Sequence, residues 1–105
     1  MDTLICQPKR LAILAALDER GSSSFSELHE LTGITTGNLS SHVRRLEDHG
    51  LVSVKKDFVD RKPRTTVTLE STGRQAITDY LQGIASIVDQ WRNRQHVLLS
   101  VSRRP

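Results

Sequence analysis

Hydrogen-bonding side chains crowd residues 35–45: Thr35, Thr36, Asn38, Ser40, Ser41, Arg44 and Arg45, with Gly37 among them. No carboxylate interrupts this run before Glu47 and Asp48. An asparagine amide can pair bidentately with adenine and a guanidinium with guanine, each discriminating by roughly 1–3 kcal/mol. Serine and threonine hydroxyls, and the N–H groups that open a helix, suit phosphate oxygens. A second cationic set follows at Asp60-Arg61-Lys62-Pro63-Arg64, with Lys55 and Lys56 just upstream. Together the two sets have the chemistry of a surface that reads base edges and grips the strand alongside.

Such side chains act only if a scaffold aims them. Leu39, Val43 and Leu46 recur at i, i+4 and i+7, predicting a helix over 36–49 with one narrow apolar edge. Helical rotation then sets Gly37, Ser41, Arg44 and Asp48 opposite that edge, Asn38 and Arg45 on one flank and Ser40 on the other. Thr35 is its expected N-cap. Gly33 stands where a turn between two helices needs a left-handed residue, and Ile34 is expected to plug the core. The preceding helix is expected to run from an N-cap at Ser26 through Thr32, with Leu28 and Leu31 inward. A first helix is expected from Pro8 to Arg20, stopped by Gly21, with Leu11, Leu14 and Leu17 at helical spacing. Residues 2–7 form a short lead whose Leu4 and Ile5 tuck under the domain, and 21–24 are expected as a polar loop.

Downstream, 51–59 alternates as a strand with Val52, Val54 and Phe58 on one side. A second strand, 65–69, turns Val67 and Leu69 inward, and the basic run 60–64 joins the two as a hairpin tip. The last helix is expected near Ser71 or Thr72, whose spacing to Gln75 fits a capping box. Along it Ile77, Leu81, Ile84, Val88 and Trp91 repeat at four, three, four and three residues, widened by Tyr80 and Ile87. That seam is long enough to leave apolar surface for a second copy of the chain, with Trp91 as an anchor. Residues 93–105 carry an apolar patch, Val97 to Leu99, then Arg103 and Arg104, and either continue the helix or leave it.

The chain has 105 residues, is 36% hydrophobic and carries a formal charge of +3. One domain of mainly α class with a small β-hairpin (α+β) is expected, residues 1–70 reading nucleic acid and 71–105 dimerising. The single Cys6 excludes an internal disulfide and a cysteine-rich zinc site. It reads as a small buried hydrophobe, with a redox thiol as the sharper alternative. His29, His42, His49 and His96 are scattered, so no metal site is expected. Gly-rich phosphate loops, nucleophile signatures and carboxylate pairs do not stand out, so no catalytic residue and no cofactor is expected, and the chain is not read as an enzyme. No secretory pattern and no membrane-length apolar run is visible, which sets the expectation of a cytoplasmic protein without a membrane partner.

Residues 33–52 (GITTGNLSSHVRRLEDHGLV), 56–66 (KDFVDRKPRTT) and 69–74 (LESTGR) match, in order, the recognition helix, wing and following helix of winged-helix bacterial regulators. Over roughly residues 4 to 85 the chain resembles the small MarR/ArsR-like group of single-domain transcriptional regulators. The resemblance implies a winged helix-turn-helix with a long C-terminal dimerisation helix. It also implies a dimeric repressor that binds double-stranded DNA through Thr36 to Arg45, with the wing at Arg61 to Arg64. The chain departs from the group in three ways. MarR proteins proper are longer and frame a ligand pocket with extra terminal helices, and this chain is read as lacking room for that pocket. The cysteine pairs and His/Asp sets of ArsR-type metal sensors are missing. The Leu-Thr-Pro-x-Gly pattern appears as Leu69-Glu-Ser-Thr-Gly. The alternative function is a winged helix that binds other proteins and has no DNA role.

Overall fold

The computed structural model describes residues 3–102; Asp2 of the lead and Arg103 and Arg104 of the tail lie outside them. The chain runs α1 (Pro8–Arg20), β1 (Ser22–Ser24), α2 (Phe25–Thr32), α3 (Thr36–Asp48), β2 (Val52–Val59), β3 (Lys62–Leu69) and α4 (Ser71–Ser102).

Local chemistry explains most boundaries. Gln7 caps α1 by accepting from the Arg10 N–H, Pro8 fills the first turn, and Gly21 closes it at φ 83°, donating to the Leu17 carbonyl. Arg10 Nε donates to the Leu4 carbonyl at 2.6 Å, and Ile5 is 3% exposed, so the lead is pinned beneath α1. Gly33 takes the left-handed conformation at φ 72° and donates to the His29 carbonyl, ending α2. Thr35 caps α3 through its hydroxyl, which accepts from Asn38 N. Ile13, Leu14, Leu17, Leu28, Leu39, Leu46, Val67 and Ile77 are fully buried in one core. Each such side chain contributes about 1.5–3 kcal/mol by leaving water. Leu11 is only partly buried, and Ile13 takes the deeper place.

Several expectations change. The expected loop at 21–24 contains strand β1, which pairs Ser22, Ser23 and Ser24 antiparallel with Thr68, Val67 and Thr66, giving a three-stranded sheet in the order β1-β3-β2. Three serines carry no apolar alternation; the ladder groups of β3 recruit them, because buried backbone needs partners. The N-cap of α2 is Ser24 and not Ser26. Ser24 Oγ accepts from Glu27 N at 3.1 Å, and Glu27 Oε1 accepts from Ser24 N at 3.2 Å. Leu31 is 53% exposed, since Ile34 fills the space below the end of α2. The Thr72–Gln75 capping box does not form: the Thr72 hydroxyl donates to the Gly50 carbonyl, and Gln75 donates to Asp79.

The hairpin is also tighter than expected. Only Asp60 and Arg61 form the turn, at φ 51° and 66°, and Lys62, Pro63 and Arg64 belong to β3. Two consecutive positive φ values match the twist of a two-residue hairpin. Val59↔Lys62 is then the hydrogen-bonded pair beside the turn, so Pro63, opposite Phe58, sits where its missing N–H costs nothing. Phe58 does not face the core as expected but is 75% exposed, because β2 outruns the helices beneath it. The residues from Asn93 continue α4 to Ser102. At 32 residues and 1.5 Å per residue, α4 is about 48 Å long. It runs well past the globule, and the molecule measures 74 × 24 × 20 Å.

Candidate nucleic-acid interface

Burial of Leu39, Val43 and Leu46 at 0%, 2% and 0% exposure sets the rotation of α3. Thr35, Thr36, Gly37, Asn38, Ser40, Ser41, Arg44 and Arg45 are consequently all exposed along its outer side. The two adjacent arginines diverge. Arg44 borders a groove with Ser40 on its own helix and Lys56 and Thr65 on the wing. Arg45 lies on the far flank beside Thr3, Arg10 and His49, and its carbonyl is 2.9 Å from His49 Nδ1. Asn38 shares that flank with Pro8 and Lys9 of α1. One arginine thus serves the wing side of the helix and the other the α1 side.

Lys55 and Lys56 are both exposed but point to opposite faces of β2, opposite Thr66 and Thr65 respectively. Lys56 shares the α3-facing side, whereas Lys55 looks outward. Arg61 and Lys62 stand exposed at the tip. Among the described residues, the ion pairs engage Arg20, Arg64 and Arg74; Arg44, Arg45, Lys55, Lys56, Arg61 and Lys62 take part in none. Six cations without carboxylate partners among the described residues therefore surround the exposed side of α3 and the wing.

Arg64 differs from its neighbours. Its guanidinium leans back to Glu27 Oε1 at 3.4 Å, while Arg20 pairs with the other carboxylate oxygen. Glu27 thus links the end of α1, the start of α2 and the wing strand. The sequence reading missed this link, although Ser24-x-x-Glu27 is a capping-box spacing. The backbone N–H and hydroxyl of Ser24 hold the Glu27 carboxyl below its usual range, with Arg20 and Arg64 adding to the effect and burial opposing it. His42, half-buried on α3, is held below its ordinary value of 6.5 by burial first and by Arg10 and Lys9 next.

Both shifts have the same sign for stability. In each case the unfolded chain binds more protons than the folded one, so stability rises with pH and is lost on acidification. The His42 contribution fades as pH falls below about 6.5, and that of Glu27 as pH falls below about 4.5. Urea midpoints measured from pH 8 to pH 2.5 are expected to decline in two stages. His42→Gln should flatten the first stage and Glu27→Gln the second; unchanged profiles would contradict these assignments.

The apolar seam lies on α4. Ile77 is fully buried in the protomer's own core and so is not part of any free surface. Leu81, Val88 and Trp91 are 43%, 37% and 53% exposed, and Ile84 is half-buried. A shallow apolar groove runs beside them, lined by Ile5, Tyr80, Ile84 and Ile87. Among the described residues no three His, Cys, Asp or Glu cluster as a metal site, and no helix is long and apolar enough to cross a membrane.

Comparison with known proteins agrees with this architecture. The family described as "Winged helix DNA-binding domain" matches residues 9–88. The uncharacterized protein MJ0432 of Methanocaldococcus jannaschii is 32% identical over 78 residues, covering 74% of this chain and 85% of that protein. A transcriptional regulator homologue from Pyrococcus horikoshii OT3 superposes with a TM-score of 0.79 at 34% identity, covering 84% of this chain and 87% of that one. A transcriptional regulator of the MarR family from Enterococcus faecalis V583 superposes with a TM-score of 0.70 at 25% identity, covering 90% and 84%.

Proposed function

Because the chain belongs to the winged helix DNA-binding domain family and is a DNA-binding transcriptional regulator, we propose that it acts as a sequence-specific dimeric repressor. In this reading α3 enters the major groove of double-stranded DNA by its N-terminal half. Asn38, Ser40, Ser41 and Arg45 approach base edges, and Thr35, Thr36 and the bare backbone at Gly37 approach phosphates. Arg44 and Lys56 follow one strand, Arg61 and Lys62 meet the backbone or minor groove, and Lys55 and Arg64 assist from the sides of the wing. The seam of Leu81, Ile84, Val88 and Trp91 joins two protomers, while Ile77 stays in the core of each. Two α3 helices then meet successive major grooves of a palindromic site, and the bound pair blocks access to it. Residues 1–70 read DNA and residues 71–105 dimerise, in a cytoplasmic protein with no catalytic role.

One observation carries the reading: the outer side of α3 is exposed, free of acid up to Glu47, and bordered by cations that take part in no ion pair among the described residues. A salt titration on duplex DNA tests it. The log of the affinity should fall linearly with log salt, by about 0.9 per phosphate contact. Arg61→Ala should reduce that slope by about one and weaken all duplexes alike. Arg45→Ala should cost about 1–3 kcal/mol on the preferred site and less on random sequence. A chain that ignores duplex DNA at low salt would leave only the protein-binding alternative.

A further inference from the structure

Val52, Val54, Lys56 and Phe58 share one face of β2, and their burial fades along it. Val52 is 2% exposed, Val54 packs against the core, Lys56 borders Ser40 and Arg44, and Phe58 is 75% exposed. Phe58 therefore stands one pleat, about 7 Å, beyond the point where the wing meets α3. Its cross-strand partner is Pro63, also exposed, and the neighbouring Val59 is 43% exposed. A β2 edge would ordinarily be kept soluble by charge alone, yet this one ends in an apolar patch.

Scattered exposed hydrophobic residues are commonplace. This patch has a specific setting. Lys56 lies two residues behind it on the same face and Arg61 stands in the adjoining turn, both exposed and outside the ion pairs of the described residues, while Lys62, paired with Val59, lies on the other face. Asp57 faces the other side of the strand and Asp60 occupies the turn. Lys56, two residues before Phe58 on this face, lines the Arg44 groove. An apolar ring framed by cations complements a polyanion that exposes apolar faces between its charges. Duplex DNA has that pattern along its backbone, where deoxyribose rings alternate with phosphates. The minor groove is only about 6 Å wide, too narrow for a two-stranded ribbon to enter whole. The Asp60–Arg61 turn can reach in, while a ring two residues behind the turn lies against the groove wall.

We propose that Phe58, backed by Pro63, is an apolar DNA contact that packs on deoxyribose at the edge of the minor groove, with the flanking cations on the adjoining phosphates. This rests on the reading above that the wing lies on DNA. Because the contact is apolar, it adds affinity without releasing counterions, and that separates it from the wing's charges.

The test uses the full-length chain and a duplex selected by the wild type from a random pool. Affinity is followed across a salt series for the wild type, Phe58→Ala, Phe58→Leu and Arg61→Ala. Phe58→Ala should bind about ten- to a hundredfold more weakly with the salt slope of the wild type, since the loss is one of apolar burial. Phe58→Leu should keep most of the affinity. Melting temperatures should not move, because the ring is exposed in the free protein. Wild-type affinity in Phe58→Ala, or a slope reduced as in Arg61→Ala, would overturn the apolar contact while leaving the groove reading standing. Failure of the wild type to bind any duplex would overturn both.

Discussion

Gly73→Ala is expected to lower the stability of the fold by about 3 kcal/mol, near the upper end for overpacking. For a domain of this size, that is a drop of roughly 15 °C in melting temperature. Gly73 lies inside α4, where alanine would normally be the better helix former. A Cβ there would sit 2.1 Å from the Leu51 carbonyl oxygen and 2.7 Å from Leu69 Cδ1. The obstructing oxygen is backbone and is itself engaged, accepting from the Glu70 N–H at 3.0 Å. The Thr72 hydroxyl donates to the neighbouring Gly50 carbonyl at 2.6 Å, pressing the start of α4 onto the segment between α3 and β2. Relief would pull α4 away from both hydrogen bonds. Gly83 is the control: it lies in the same helix with nothing within 4 Å of its built Cβ, so Gly83→Ala should not destabilise. Circular-dichroism melts of the two variants decide the matter, and a Gly73→Ala melt within 2 °C of wild type would contradict the close approach.

Leu81→Asp is expected to halve the mass measured by light scattering and to weaken binding to a two-half-site duplex on the order of a hundredfold. In the proposed dimer the affinity loss follows because two linked α3 helices bind as one unit, whereas two free protomers must each find DNA alone. Leu81 is 43% exposed in the protomer, so the charge is tolerated there and becomes intolerable only against an apolar partner. Binding to a single half-site should be nearly unchanged, which separates a broken interface from a damaged domain. Ile77→Asp, by contrast, should unfold the protomer, because that side chain is completely buried. An unaltered dimer mass for Leu81→Asp would refute the seam.

The contrast between Ile77 and Leu81 shows how far periodicity reaches. Spacing identified both as members of one stripe, but the point at which the globule stops covering α4 is a matter of where α1 and the lead end. The helix-turn-helix was more legible. Gly33, Thr35 and the Leu39–Val43–Leu46 edge each carry a local reason for their place, and the structure sets all of them there. The capping box at Ser24 and Glu27 is equally local, since both of its hydrogen bonds lie within four residues. No local signal marked β1. Its serines become a strand only because β3 offers them a ladder.

The candidate interface divides along the same line. Residue types and helical rotation were enough to collect the polar side of α3 and the cations of the wing. They could not separate Arg44 from Arg45 in role, release Phe58 from the core, or turn Arg64 toward Glu27. Those outcomes depend on groups distant in the chain: the reach of β2 beyond the helices, and a carboxylate 37 residues before Arg64. By itself the sequence determined the four helices, the hairpin and the apolar edge of α3, because caps, glycines and apolar spacing act within a few residues. Only the tertiary structure decided which of the outward-facing groups are free to meet a partner, because that depends on what distant segments cover or bind.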